Sequence, residues 1–381
     1  MRRLLILACA IVFVETTFYT AITPLLPHFE DVFDLTKSQA GLLAACYPAG
    51  TLVGAIPGGY LAAKAGVRPT VLFGLTLVTL SCLAFAFAGT IVLLDVARFV
   101  QGLGGAFCWA GALAWVIGAS PRERRGELIG TTMGAAIVGT LLGPVIGALA
   151  AGVGVKPTFS AIAVVGVAMG AWAFSTPAAE PEGTSTPREL LGALRDGRVA
   201  GGFVLVLVPG LVMGTIGVLA PLRLDDLGVG ASGIAAAWLG AAVLETAVSP
   251  IVGRVSDRRG RLYPCLLGLA AASVMTLLFP LPEEAWQLIL LVLIAAPTIG
   301  MLWAPSMAML SDGAEAVGIA QGFAFAMSNL GWSVGQTAGN ALSARIADAT
   351  SDAVPYVILS ALAAGTLVAL VRIRATSPTL A

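Results

Sequence analysis

Charged residues are scarce in this chain of 381 residues. They make up 11% of the sequence, against 58% hydrophobic residues, whereas a soluble domain carries roughly 25% charged residues. So few charges cannot cover the surface of a water-soluble protein of this length. The composition therefore predicts a protein that crosses a membrane many times. Because the formal net charge is zero, nothing indicates a surface that binds nucleic acid.

Residues that carry enzyme chemistry are also few. The chain has a single histidine, His28, and five cysteines, which show none of the close spacing of metal ligands. We interpret the cysteines as reduced packing residues, and His28, beside Glu30 and Asp31, as a surface group. The shortage of nucleophile, histidine and ligand clusters argues against a membrane-embedded enzyme. No cofactor or metal is expected.

Long apolar runs fill most of the chain. Twelve of them are long enough to cross a bilayer as helices, which needs about 20 residues each. In the first half they cover residues 4–26, 39–62, 70–89, 92–117, 127–151 and 156–175. In the second half they cover residues 199–221, 232–253, 263–281, 285–308, 317–343 and 353–372. The predicted fold is an all-α integral membrane protein with twelve transmembrane helices.

The two halves of the chain resemble each other. A polar, proline-rich segment at 176–198 divides them, and ITPLLPHFEDVF in the first half is matched by LAPLRLDDLGV in the second. The sequence therefore predicts two pseudo-symmetric six-helix bundles, at 1–175 and 199–381, joined by a cytoplasmic linker at 176–198. Transporters built from such repeats bind their substrates near the membrane midplane between the halves.

Basic residues are distributed unevenly between the two sides of the predicted membrane protein. An even number of spans places both termini on one side, and 16 of the 21 basic residues lie there. The positive-inside rule assigns that side to the cytoplasm. Arginine exceeds lysine, at 18 residues against 3, which with abundant alanine and glycine indicates a GC-rich bacterial genome. We therefore expect a multi-pass protein of the bacterial inner membrane with both termini in the cytoplasm.

Three glycine-containing motifs carry a family resemblance. GRVSDRRGR at 253–261 matches the pattern G-x-x-x-D-R-x-G-R, RFVQGLG at 98–104 matches R-x-x-Q-G-x-G, and GTLLGPVIG at 139–147 matches G-x-x-x-G-P-x-x-G. With these motifs the chain resembles the major facilitator superfamily and, within it, the twelve-helix drug:proton antiporters. The resemblance covers essentially the whole chain. It departs from the family pattern at Ala63, where the family has aspartate, and at Asn340, where a second proline would fall.

The resemblance implies structural or gating roles for the motif residues. In the family, two cytoplasmic loops, which correspond here to residues 59–68 and 253–261, help to latch the closed cytoplasmic face. The loss of the carboxylate at Ala63 puts that latch in doubt for the first half. Glycines four residues apart let helices approach closely, so simple packing is the alternative interpretation. The residues concerned are Gly59, Lys64, Gly66, Arg68, Gln101, Gly102, Gly139, Gly143, Pro144, Gly147, Gly253, Asp257, Arg258, Gly260 and Arg261.

An acidic residue interrupts the first apolar run. Glu15 is followed by Pro24 and Pro27, which resembles the family's first-helix pattern of an acid, eight residues and P-x-x-P. Burial favours the neutral form of a carboxyl, whereas a nearby cation such as Arg98 favours its charged form. We expect Glu15 to take up a proton in one facing state and to release it in the other, with Arg98 biasing this exchange. The alternative is a static ion pair of Arg98 with Glu15 or with Asp95.

Several further residues are candidates for substrate binding. Glu245, the second unusual acid, lies nearer the cytoplasmic end of its predicted span and has three possible roles: binding a cationic substrate, a second protonation site, or a structural group. The aromatic and amide candidates are Phe18, Tyr19, Tyr47, Trp109, Trp238, Asn329 and Trp332.

The expected function is secondary active transport by alternating access, with proton-coupled export of lipophilic or cationic small molecules. The alternatives are transport of a polar metabolite such as a sugar, and a receptor of the same fold that does not transport. The expected partners are a small-molecule substrate, protons and the lipid bilayer, without nucleic acid, and the chain is expected to act as a monomer.

Overall fold

Thirteen α-helices make up nearly all of the part of the chain described by the computed structural model, which covers residues 2–119, 125–177, 192, 195–316 and 321–376. The first seven helices are α1 (Arg2–Thr20), α2 (Leu26–Phe33), α3 (Lys37–Lys64), α4 (Val67–Ala86), α5 (Ile91–Ala119), α6 (Arg125–Val153) and α7 (Val155–Ser175). The remaining six are α8 (Gly197–Asp226), α9 (Ala231–Arg259), α10 (Leu262–Leu278), α11 (Ala285–Ala316), α12 (Gln321–Ala349) and α13 (Ala353–Thr376).

Within the described residues each predicted span corresponds to helical structure, and the predicted all-α fold is confirmed. Ten described segments have the length and apolarity of membrane-crossing helices. The helix α10 is shorter, with 17 residues. The helix α12 carries several amides and hydroxyls, which make it less apolar. The chain is a multi-pass membrane protein.

The first predicted span is longer in the structure than its apolar run. The helix α1 ends at Thr20, a 3₁₀ turn covers Thr23–Leu25, and α2 continues to Phe33. Proline lacks an N–H group and its ring clashes with the preceding turn, which explains the break in the helix around Pro24. The predicted boundary at residue 26 therefore marks an interruption rather than the end of the helical path.

One compact unit of the chain contains Met1–Phe33 and Cys46–Arg188. In it α1 packs on α5 and α6, and α4 packs on α5 and α7. Buried apolar side chains from these helices, such as Leu7, Ile11 and Trp115, form its core.

A second compact unit contains Asp34–Ala45 and Glu189–Ala381. Here α8 packs on α12 and α11, α9 packs on α11, and α10 packs on α13 and α11. The segment Asp34–Ala45 is attached by a hydrogen bond of 3.3 Å from Asn340 Nδ2 to the Ala44 carbonyl and by an ion pair of 2.7 Å between Lys37 and Asp352.

Glycines bring α1 and α6 into close contact. A Cβ atom added at Gly139, Gly143 or Gly147 would overlap atoms of α1 or of the residues just after it. The hydroxyl of Thr16 also donates across this contact to the Ala136 carbonyl over 3.0 Å. The glycine motif of α6 therefore sets how closely α6 approaches the helix that carries Glu15.

The second unit repeats this packing between α8 and α12. Side chains at Gly335 and Gly339 would overlap the carbonyl groups of Leu207 and Leu211. Asn340 stands where the family pattern would have a proline, yet the close approach of the helices is kept. The substitution instead provides the amide that donates to Ala44.

The two loop motifs that are expected on the cytoplasmic side fold as tight turns. Gly66 and Gly260 adopt φ values of 96° and 85°, a region that side-chain-bearing residues rarely adopt. Near these turns the Arg68 guanidinium lies 4.7 Å from the Phe174 ring centroid, and Arg261 pairs with Asp312 over 3.0 Å. Arg68 and Arg261 are therefore held by neighbouring helices of their own units.

Candidate functional site

The contact between α1 and α5 contains Glu15 and Arg98, the buried charged residues among those described in the first unit. On α1, Glu15 is followed one turn later by Phe18 and Tyr19, which lie on the same side of the helix. On α5 the side that meets α1 contributes Arg98, Gln101, Gly102, Gly105 and Trp109. Their spacing of three, four, seven and eleven residues from Arg98 places them on one stripe of the helix.

The Glu15 carboxyl is enclosed by α5. The residue is 5% exposed, and its Oε2 accepts a hydrogen bond of 2.6 Å from Trp109 Nε1. A Cβ atom added at Gly105 would overlap Glu15 Oε1 and would lie 3.0 Å from the Tyr47 hydroxyl. The missing side chain of Gly105 therefore provides the space that the carboxyl occupies.

Arg98 is 1% exposed and binds the end of α1. Its Nη1 donates to the Phe18 carbonyl over 3.1 Å, and its Nη2 donates to the Tyr19 carbonyl over 3.2 Å. The last four carbonyl groups of a helix have no partner within that helix, and α1 ends at Thr20. Arg98 therefore caps α1, and its positive charge lies at the negative end of the helix dipole.

Side chains complete the surroundings of Arg98. Gln101 Oε1 accepts a hydrogen bond of 2.7 Å from Nη1, and the Tyr47 ring centroid lies 4.9 Å from the guanidinium carbon. The rings of Tyr19 and Tyr47 are 5.0 Å apart. A cation over a tyrosine ring is stabilised by the electron density of the ring.

Neither of the two static ion pairs considered for Arg98 forms. Within the described part of the chain, no carboxylate oxygen of Glu15 or Asp95 lies within 4.0 Å of an Arg98 nitrogen. The Nε atom of Arg98 and the Oδ1 atom of Asp95 are buried without a hydrogen-bond partner. The charge of Arg98 is thus compensated by carbonyl groups and a ring instead of by an adjacent acid.

Three positions of the motif RFVQGLG at 98–104 have a physical role in the structure. Arg98 and Gln101 bond to each other, and Gln101 Nε2 lies 3.5 Å from Cys82 Sγ. A side chain at Gly102 would overlap the Tyr47 carbonyl, so this glycine permits the close contact of α3 with α5. The Thr51 hydroxyl fixes the same contact by donating to the Gly102 carbonyl over 3.2 Å.

The substrate-binding candidates fall into two groups. Tyr19, Tyr47 and Trp109 lie beside Glu15 and Arg98 in the first unit, whereas the Phe18 ring is buried in the apolar core and only its carbonyl reaches Arg98. Trp238, Glu245, Asn329 and Trp332 belong to the second unit and are half-buried. The sequence predicted Trp109 as a residue that contacts substrate and did not predict its bond to Glu15.

Glu245 lies at the middle of its helix. The helix α9 has 29 residues and extends to Arg259, six residues beyond the predicted span, so Glu245 is its fifteenth residue. A Cβ atom added at Gly300 of α11 would lie 3.1 Å from Glu245 Cγ. Within the predicted span 232–253 Glu245 lies nearer the end at residue 253, and the helix continues for six residues beyond that end.

Long apolar helices around buried polar and charged groups define a membrane transporter, and comparison with known proteins identifies its family. The model of the Major Facilitator Superfamily matches residues 8–336. The chain therefore belongs to this superfamily, whose members carry small molecules across membranes and are not enzymes.

Individual relatives match over shorter regions. The MFS-type transporter ppzB of Metarhizium rileyi is 30% identical over 139 residues, which are 35% of this chain and 29% of that protein. Multidrug resistance protein 2 of Bacillus subtilis is 25% identical over 167 residues, which are 43% of this chain and 42% of that protein. The matched regions thus span less than half the length of either relative.

A solved structure of the same fold matches over nearly the full length. The xylose transporter XylE from E. coli, in a partially occluded inward open conformation, superposes with a TM-score of 0.77 and covers 97% of both chains. Its sequence identity to this chain is 14%, so the likeness concerns the fold alone.

Proposed function

We propose that this transporter works by alternating access and exports lipophilic or cationic small molecules in exchange for protons. The observation that carries the proposal is the Glu15 carboxyl, which is buried in an apolar helix, bonded to Trp109, and not paired with Arg98. The resemblance to Multidrug resistance protein 2 of Bacillus subtilis supports export of such compounds.

Glu15 is the proton carrier in this proposal. A charged carboxyl at mid-membrane depth costs at least about 2.5 kcal/mol, and a proton removes that charge. Oε2 accepts from Trp109 in either protonation state, so the proton binds Oε1, next to Gly105 and the Tyr47 hydroxyl. Proton binding forms one O–H bond, and release to the other side of the membrane breaks it.

Arg98 is the fixed counter-charge. A guanidinium stays protonated in proteins, so it cannot carry the proton itself. Its bonds to the carbonyl groups of Phe18 and Tyr19 attach it to α1 within one turn of Glu15. A change of charge at Glu15 therefore changes the electrostatic energy of a cation that is bound to the same helix.

The polar groups of the helices favour a lipophilic or cationic substrate over a sugar. Many buried hydroxyls of the described helices donate to the carbonyl four residues earlier, as Thr70, Thr132 and Thr298 do. A hydroxyl used in this way has less capacity left for a polyhydroxylated ligand. Aromatic rings and carboxyls suit a large cation better.

The transporter is proposed to lie in the bacterial inner membrane as a monomer, with both termini in the cytoplasm. Its moving bodies are the bundles at 1–175 and 199–381, joined by the linker at 176–198, most of which lies outside the described residues. A protease site or a fluorescent reporter inserted in the linker tests the orientation. Cleavage of the inserted site by a protease added outside intact cells would show the opposite topology.

Transport in proteoliposomes with an imposed pH gradient tests the function. The compounds are ethidium, tetraphenylphosphonium and xylose, and the variants are Glu15→Gln and, as a control, Asp31→Asn at an exposed position of the following helix. We expect gradient-driven accumulation of the cations by the wild type and by Asp31→Asn, and its loss in Glu15→Gln. Full uphill transport by Glu15→Gln would exclude Glu15 as the carrier, and accumulation of xylose alone would support the sugar alternative.

A further inference from the structure

Glu245 faces the interior of its unit. Val243 and Ile251, on the outer side of α9, are 52% and 53% exposed. Ala241 and Val252, on the side that includes Glu245, are 5% and 6% exposed. The Glu245 side chain therefore lies on the side of α9 that packs against neighbouring helices.

The neighbouring helix α11 leaves room for the carboxyl. A Cβ atom added at Gly300 would lie 3.1 Å from Glu245 Cγ and 3.4 Å from Glu245 Oε1. Any larger side chain at Gly300 would occupy the space beside the carboxyl. The Glu245 side chain thus packs against Gly300 at the middle of the α9–α11 contact.

Among the described residues of the second unit, no cation pairs with Glu245. The helices packed on α9 are α11, α10 and α8, and the sequences of α10 and α11 contain no lysine, arginine or histidine. On α8 the basic residues lie near its two ends, and on α9 the next one is Arg254, which donates to the Pro250 carbonyl. Among the described residues, Glu245 makes no ion pair and no side-chain hydrogen bond.

Both helices carry a tryptophan within two turns of the Glu245–Gly300 contact. Trp238 precedes Glu245 by two turns on α9, and Trp303 follows Gly300 by three residues on α11. Both positions fall on the stripes that carry Glu245 and Gly300. Tryptophan rings attract organic cations, and a carboxylate attracts them by its charge.

We propose that Glu245 binds the positive charge of a lipophilic cation, with Trp238 and Trp303 contributing the aromatic surface. This inference rests on the proposed transport function and narrows its substrates to organic cations such as hydrophobic ammonium or phosphonium compounds. A half-buried carboxylate without a built-in counter-ion gains most from a ligand that carries the missing charge. A proton alone would not require the aromatic residues.

Equilibrium binding of tetraphenylphosphonium to the purified protein in detergent tests the proposal. The variants are Glu245→Gln, Glu245→Asp, and Glu283→Gln as a control at an exposed position before α11. Glu245→Gln should bind the cation at least about tenfold more weakly, and Glu245→Asp should bind with intermediate affinity. The control should stay within about twofold of the wild type, and uncharged triphenylphosphine oxide should bind all variants alike.

Three outcomes would overturn the proposal. The first is unchanged tetraphenylphosphonium binding by Glu245→Gln. If this variant also alters the number of protons moved per substrate, Glu245 is a second protonation site instead. The second is an equal loss of both ligands in Glu245→Gln, which would indicate a structural role. The third is a wild type that does not bind tetraphenylphosphonium.

These outcomes are distinct from failure of proton coupling. Binding is measured without a gradient, so a weaker affinity in Glu245→Gln would stand even if Glu15→Gln kept full uphill transport. Conversely, loss of uphill transport in Glu15→Gln would support proton coupling whatever Glu245 binds.

Discussion

The indole nitrogen of Trp109 lies 2.6 Å from Oε2 of Glu15, so a hydrogen bond joins α5 to the acidic residue of α1. Eleven residues earlier on α5, Arg98 joins the same two helices through the carbonyl groups of Phe18 and Tyr19. Two contacts thus connect the two helices. The contact of Trp109 involves the ionisable carboxyl of Glu15, whereas the contact of Arg98 involves only backbone carbonyl groups of α1. Substitution of Trp109 or of Arg98 can therefore test the two contacts separately.

Replacing Trp109 with phenylalanine removes the donor to Glu15 and keeps an aromatic ring. A hydrogen bond to a charged group contributes about 1.5–3 kcal/mol, so Trp109→Phe should lower the rate of gradient-driven transport and change its dependence on pH. The control is Trp286→Phe, at a residue that is 64% exposed. A Trp109→Phe protein with the wild-type rate at every pH would show that the bond has no part in proton coupling.

Alanine at Gly105 should displace the Glu15 carboxyl. The added Cβ would overlap Glu15 Oε1 and approach the Tyr47 hydroxyl to 3.0 Å, and overpacking of this kind costs about 1–3 kcal/mol. We expect a lower unfolding temperature in detergent and weaker uphill transport. Gly170→Ala on α7, where a Cβ meets nothing within 4 Å, should leave both unchanged. Equal behaviour of the two variants would contradict the position assigned to Glu15.

Helices and close packing could be predicted from the sequence, because both depend on local patterns. Apolar runs of about 20 residues require helices in a bilayer, and the glycine spacing around Gly143 indicates a close helix contact, which the structure confirms with α1. The partners of charged residues could not be predicted in the same way. They depend on how far one helix is shifted and rotated against another, and residue spacing does not determine this.

Arg98 shows where a stronger prediction was possible. An acid was its expected partner, yet it binds carbonyl groups at the end of α1. The signal was present in Pro24, since a proline interrupts a helix and leaves carbonyl groups of the preceding turn without partners. For Trp109 no comparable local signal exists, because an indole four residues from a glycine is equally compatible with packing, substrate contact and a bond to an acid.

The glycines of α6 should be needed for the position of α1. A Cβ at Gly143 would overlap the Thr20 hydroxyl and come within 2.6 Å of the Thr17 carbonyl. Gly143→Ala should therefore push α1 away from α6, lower the unfolding temperature and reduce transport, with a cost of about 1–3 kcal/mol. Gly152→Ala on the same helix meets nothing within 4 Å and serves as the matched control. Similar unfolding temperatures and transport rates in the two variants would refute this packing role.

Lysine at position 98 separates the charge of Arg98 from its geometry. Lysine keeps the positive charge but is a compact ammonium, whereas the guanidinium fork bonds to two carbonyl groups and to Gln101 at once. Loss of even one such bond, at about 1.5–3 kcal/mol, should lower the unfolding temperature of Arg98→Lys and slow uphill transport by about tenfold or more. Arg223→Lys, at an exposed arginine that lies 4.0 Å from Asp226, should change both much less. If Arg98→Lys instead matched the wild type in stability and transport, the positive charge alone would be sufficient, and capping of α1 by the guanidinium would be dispensable.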